Sequence, residues 1–166
     1  MRIGEHRLRE HIRLLAPLFA LIAGVWVLRM ILAAADSPAW IIRVTSVTTA
    51  TSVALLLAVL LLHARRFGGY ASVVVTALLL NFWAELLISG TIVFTIVTGI
   101  ETIYTAPEYS IPGAESAHLR HMYGHLTYGI GTGTLLGAAF GCLLLLLLRT
   151  LLPNKPAVSS WDMKNR

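Results

Sequence analysis

The chain has little charge and almost no cysteine. Only 13% of its 166 residues are Asp, Glu, Lys or Arg, where an ordinary water-soluble domain carries about 25%. With 57% hydrophobic residues and a mean hydropathy of +0.76, a water-soluble core cannot absorb the apolar surface. The single cysteine, Cys142, lies inside the most apolar run and has no second cysteine to pair with, which excludes an internal disulfide framework and a Cys-based metal site. No Walker loop, HExxH, GxSxG or CxxC is present. The GIGTGTLLG run of residues 129 to 137 has the letters of a dinucleotide fingerprint but follows no strand and falls inside an apolar segment. No internal repeat links the two halves, which speaks against an inverted-repeat transporter. The chain is read as non-catalytic, and no catalytic residue is assigned.

What is present is long apolar runs. Four of them, at about 14–35, 40–62, 70–100 and 119–152, each exceed the ~20 helical residues that a hydrocarbon core of ~30 Å requires. Between them stand Asp36, Ser37 and Pro38, then a basic turn of His63, Arg65, Arg66, Gly68 and Gly69, then a longer polar loop with Pro107 and Pro112. Pro, Gly and charge end helices and prefer water. The dyad alternation of a barrel is absent, so the expected fold is all-α, an integral membrane four-helix bundle. Residues 1–13 are expected to form a basic interfacial segment, with Ile3, Leu8 and Ile12 among Arg and His. Residues 14–152 are expected to form the membrane domain and 153–166 a flexible cytoplasmic tail. The first run is too long for a signal peptide's apolar region and is interrupted by Arg29, so it is read as a retained helix.

Charge sets the expected orientation. Ten of the thirteen Lys and Arg residues flank one side of the four spans: Arg2, Arg7, Arg9, Arg13, Arg65, Arg66, Arg149, Lys155, Lys164 and Arg166. Basic loops stay in the cytoplasm, which places both termini there and predicts a multi-pass protein of the cell's inner membrane. The same asymmetry accounts for a pI near 9.9 without nucleic acid as a partner.

Two features of these spans call for an explanation beyond span length. Gly129, Gly133, Gly137 and Gly141 recur every fourth residue in the fourth span, a small-residue stripe that lets another backbone approach closely. Its partner is a helix of the same chain, another chain, or a pigment, haem or lipid. The second feature is a set of polar residues at membrane depth, each costing about 2.5–3.5 kcal/mol to insert unless it is partnered. Arg29, Arg43, Asn81 and Glu85 form such a set in the outer half, with an Arg29 or Arg43 ion pair to Glu85 as the simplest arrangement. His118, His121 and His125 share one helical face. With Glu85, they are candidate ligands for a transition metal or haem. A run of Thr and Ser from Thr45 to Ser52 adds a hydroxyl-rich half-span.

The leading functional expectation is a small subunit that sits in the lipid bilayer and docks with other membrane chains, or with itself, in a larger assembly. Two alternatives stand beside it. One is a metal- or haem-dependent redox protein using the outward-facing His and Glu residues; the other is a proton- or ion-conducting protein that depends on Glu85.

Overall fold

The computed structural model describes residues 2–3, 6–105 and 117–152. Four helical stretches are long and apolar enough to cross a membrane: Leu8–Ala34, Ala39–Ala64, Tyr70–Thr98 and Ala117–Leu151, of 27, 26, 29 and 35 residues. At a rise of 1.5 Å per residue they measure roughly 39 to 52 Å, against a hydrocarbon core of ~30 Å. The multi-pass, all-helical reading therefore stands. The polar loop with Pro107 and Pro112 and the tail after residue 152 lie outside the described residues.

The helices differ from the expected runs in three places. Strands β1 (Arg2–Ile3) and β2 (His6–Arg7) pair as a short antiparallel hairpin within the basic segment of residues 1–13. Helix α1 (Leu8–Ala34) then begins six residues before the expected start of the span. Its first turn is held by Glu10, whose carboxylate accepts the Arg7 backbone N–H at 3.0 Å and lies 3.1 Å from the His6 ring nitrogen Nδ1. The second span is broken into α2 (Ala39–Val44) and α3 (Val47–Ala64). The break falls where the Thr45 hydroxyl turns back onto the Ile41 carbonyl at 2.8 Å, the local competition by which Thr and Ser interrupt helices. Helix α4 (Tyr70–Thr98) runs unbroken through Ser89 and Gly90. It ends at Gly99, whose φ of +71° is left-handed and whose N–H closes on the Thr95 carbonyl at 2.8 Å. The fourth span comprises α5 (Ala117–Gly124), one π-helical turn (His125–Gly129) and α6 (Ile130–Leu151).

Helix α4 is central and touches α1, α3 and α6. Its inward positions Ala77, Leu80, Ala84, Ile88 and Ile92 are buried in one cluster with Leu15, Leu18 and Ile22 of α1 and Ala54, Leu55 and Ala58 of α3, and Val73 in a second with Val59 and Leu62 of α3 and Leu145 of α6. Two indoles tie α1 to α4: Trp26 Nε1–H donates to Thr91 Oγ1 at 3.0 Å, and Trp83 Nε1–H donates to the Phe19 carbonyl at 3.1 Å. The outward positions are equally apolar; Leu28, Leu60, Phe82, Val93, Leu135 and Phe140 are all exposed. A surface of this kind is stable in hydrocarbon, where the helices already satisfy their own backbone hydrogen bonds.

Candidate functional site

Glu85 is the sixteenth residue of α4, roughly 22 Å along the helix and so near the middle of a ~30 Å core. It does not meet either arginine. Its Oε2 lies 2.6 Å from Nδ1 of His125, the first residue of the π-helical turn, across 40 residues of sequence. The expected Arg–Glu pair is replaced because each arginine sits elsewhere. Arg29 lies 5.1 Å from the centre of the Tyr104 ring, a buried aromatic in the loop after α4, and Arg43 is exposed on the short helix α2. A cation over an aromatic face is stabilised without a carboxylate. Asn81 lies one turn before Glu85, and its side-chain N–H donates to the Ala77 carbonyl at 2.8 Å.

The line of contacts continues from His125. Its Nε2 lies 3.1 Å from Nε2 of His121, with ring centres 4.8 Å apart. Nδ1 of His121 is buried and has no hydrogen-bond partner. His118 faces a different acid: its Nε2 lies 3.9 Å from Glu101, whose side chain is 60% exposed. Sequence spacing brought the three histidines to one face. The structure joins two of them to Glu85 and the third to Glu101. The Glu85 and His125 side chains retain only 16% and 26% of their accessibility, so their contact is largely screened from water.

The glycines make this approach possible. A Cβ added at Gly129 would stand 2.7 Å from the Glu85 carboxyl carbon, and one at Gly133 would collide with the Asn81 side chain. At Gly137 and Gly141 the nearest atoms are Leu55 Cδ2 at 3.0 Å and Val73 Cγ1 at 2.7 Å. All four positions of the stripe therefore face α3 and α4 of the same chain. A π turn inserts one extra residue per turn and re-aims side chains; here it lies where His125 meets Glu85.

One set of protons satisfies the line when Glu85 is ionised. His125 donates Nδ1–H to the carboxylate, and its Nε2 accepts a hydrogen bond from Nε2–H of His121. The Nδ1 lone pair of His121 is then free to take a proton. A proton arriving there moves Nε2–H of His121 onto His125 and Nδ1–H of His125 onto Glu85. Both imidazoles return to neutral as their alternate tautomers. The same facing pair of nitrogens is also a pattern that two metal ligands adopt. Among the described residues, however, no group of three or more His, Cys, Asp or Glu is placed to hold a metal ion. Glu85 stands on the far ring nitrogen of His125, where it orients the ring.

On its other side Glu85 lines a groove of about 380 Å³ between α3, α4 and α6. Leu55, Leu56, Ile88, Leu136 and Phe140 form its walls, and Thr48, Thr51, Ser52, Asn81 and Glu85 supply its polar atoms. No family model, curated protein or solved structure matches the chain. The geometry must therefore carry the functional reading alone.

Two features of the site escaped the sequence. The groove needs three helices and two glycines to exist, and nothing local signals it. Tyr104 sits in a loop of unremarkable composition; the signal for it was Arg29 itself, a charge at membrane depth in need of a partner.

Proposed function

We propose that the protein is a proton-handling membrane protein, in which Glu85, His125 and His121 relay protons between the middle of the bilayer and one membrane surface. The observation that carries this reading is the continuous contact from Glu85 Oε2 to His125 Nδ1, 2.6 Å, and from His125 Nε2 to His121 Nε2, 3.1 Å. Buried ionisable groups in a membrane are expensive, and chains of them mark proton relays. The excess of Lys and Arg in the tail before α1, in the 63–69 turn and at the carboxyl end supports a cytoplasmic location for both termini. On that orientation the histidines stand towards the outer surface of the inner membrane.

The docking-subunit reading has less support. One of its motivating features, the glycine stripe, faces α3 and α4 of the same chain, which leaves the lipid-facing surface to receive a partner. A metal held between the two Nε2 atoms of His121 and His125 is the second reading, favoured by their mutual approach. Elemental mass spectrometry of protein purified without chelator separates it: one equivalent of a transition metal supports the metal, and far less removes it.

The relay itself is tested by isotope-edited infrared spectroscopy on protein labelled with carboxyl-¹³C glutamate in lipid nanodiscs, following Glu85 after a rapid change of bulk pH. The Glu85 band is assigned by its loss in Glu85→Gln. The relay predicts that this band follows bulk pH and that His125→Ala slows the response. A Glu85 carboxyl indifferent to bulk pH, or equally fast without His125, contradicts it.

A further inference from the structure

The relay needs an entrance. Nδ1 of His121, where a proton joins the line, is buried and does not meet bulk water, so another group must bring the proton to it. His118 stands on the same helical face of α5, one turn nearer the start of the helix, while Arg120 and Tyr123 lie on the opposite side. Residues at this spacing have Cβ atoms about 5–6 Å apart, within reach of one imidazole for the next. His118 in turn stands beside Glu101, whose side chain is 60% exposed and open to water. The three rings are held differently. His125 is engaged at both nitrogens and His121 at Nε2. Nε2 of His118 lies 3.9 Å from Oε1 of Glu101, beyond hydrogen-bond reach, and its Nδ1 is buried without a partner. Among the described residues, then, no hydrogen bond fixes the His118 ring, and rotation of its side chain can carry it between Glu101 and His121.

We infer that Glu101 and His118 are the water-facing entrance of the relay, Glu101 collecting protons from bulk water and His118 carrying them to Nδ1 of His121. This rests on the relay reading. The protons balance with His118 neutral and protonated at Nδ1 at the start. Its Nε2 lone pair takes the proton that Glu101 has bound, which returns Glu101 to the carboxylate. The imidazolium then turns and passes its Nε2–H to the Nδ1 lone pair of His121, which is open while His121 donates from Nε2 to His125. His118 is left neutral in the tautomer it began with, ready for the next proton.

The experiment compares the infrared response of Glu85 to a jump in bulk pH among full-length wild type, His118→Ala, Glu101→Gln and Arg120→Gln in nanodiscs. His118→Ala and Glu101→Gln are each expected to slow the response by at least about tenfold. Arg120→Gln, on the other side of the same helix, is expected to leave it unchanged. Free imidazole added at constant pH is expected to restore the rate in His118→Ala, a rescue that a merely structural role would not show. The contact of His118 with an exposed Glu101 adds little stability, so both variants are expected to melt with the wild type. A response as fast in His118→Ala as in wild type overturns the carrier, and so does a slowed response that imidazole leaves slow. Full speed in Glu101→Gln overturns the collector. Equal slowing by Arg120→Gln overturns both roles, since any surface charge would then serve. If wild type responds and neither variant slows it, the relay stands and only this entrance falls; if the wild-type Glu85 ignores bulk pH, the relay falls and the entrance with it.

Discussion

His125 turns its two ring nitrogens to two different partners, Glu85 of α4 at 2.6 Å and His121 one turn earlier at 3.1 Å. A ring fixed at both nitrogens has no freedom to flip, and each of its partners becomes sensitive to the other's protonation state.

Replacing Glu85 with Ala removes the acceptor of the His125 ring and leaves a mostly buried nitrogen unsatisfied, which costs about 1–3 kcal/mol. Thermal unfolding in mild detergent is expected to show this loss. Glu85→Gln, which keeps the shape and an acceptor, is expected to lose less stability than Glu85→Ala while still abolishing the relay. Equal melting of wild type and Glu85→Ala would mean that the contact carries no stability.

The glycine positions separate structure from relay. Gly141→Ala sets a methyl 2.7 Å from Val73 Cγ1, and a β-branched neighbour has little room to yield; overpacking of this kind costs about 1–3 kcal/mol. Gly129→Ala meets the Glu85 carboxyl instead, the far end of a flexible side chain. Its expected effect is a displaced carboxylate and a slowed relay with little change in melting. Gly131→Ala meets nothing within 4 Å and is expected to stabilise by about 0.5–1 kcal/mol through helix propensity alone.

Much of the fold was legible because the bilayer imposes one simple rule, twenty or so apolar residues per crossing, and the runs ending near Ala35, Leu62, Ile100 and Leu152 obey it. The breaks at Thr45–Ser46 and at the π-helical turn were not legible, since both arise from side-chain contacts rather than from hydropathy. For the site, Glu85 was singled out by the cost of burying it, and His121 and His125 by the helical face they share. Their pairing was not, because charge alone favoured Arg29 or Arg43 as the partner of Glu85. Which residues meet depends on the register between α4 and the fourth span, and that register is set by glycines whose partners the sequence left open.

Arg29 and Tyr104 provide a third check. Their cation–aromatic contact, 5.1 Å from guanidinium carbon to ring centre, is expected to contribute about 0.5–2 kcal/mol. A double-mutant cycle with Arg29→Met and Tyr104→Leu measures it. Additive losses would show that the two residues act independently.

Trp26→Phe tests the tie between α1 and α4. The indole N–H donates to Thr91 at 3.0 Å, and Thr91 donates in turn to the Leu87 carbonyl at 3.0 Å. Loss of the first bond is expected to lower stability by about 0.5–1.5 kcal/mol, read by chemical denaturation in detergent. Trp26→Phe in a Thr91→Val background is expected to be nearly neutral.

The most direct measurement is solid-state nitrogen NMR of uniformly ¹⁵N-histidine protein in lipid bilayers, which detects the coupling carried across an N–H···N hydrogen bond. The relay predicts a coupling between the Nε2 atoms of His121 and His125, with His125 protonated at Nδ1 towards Glu85 and that preference lost in Glu85→Ala, which removes the acceptor. Absence of the coupling, with His125 shifts unchanged in Glu85→Ala, would contradict it.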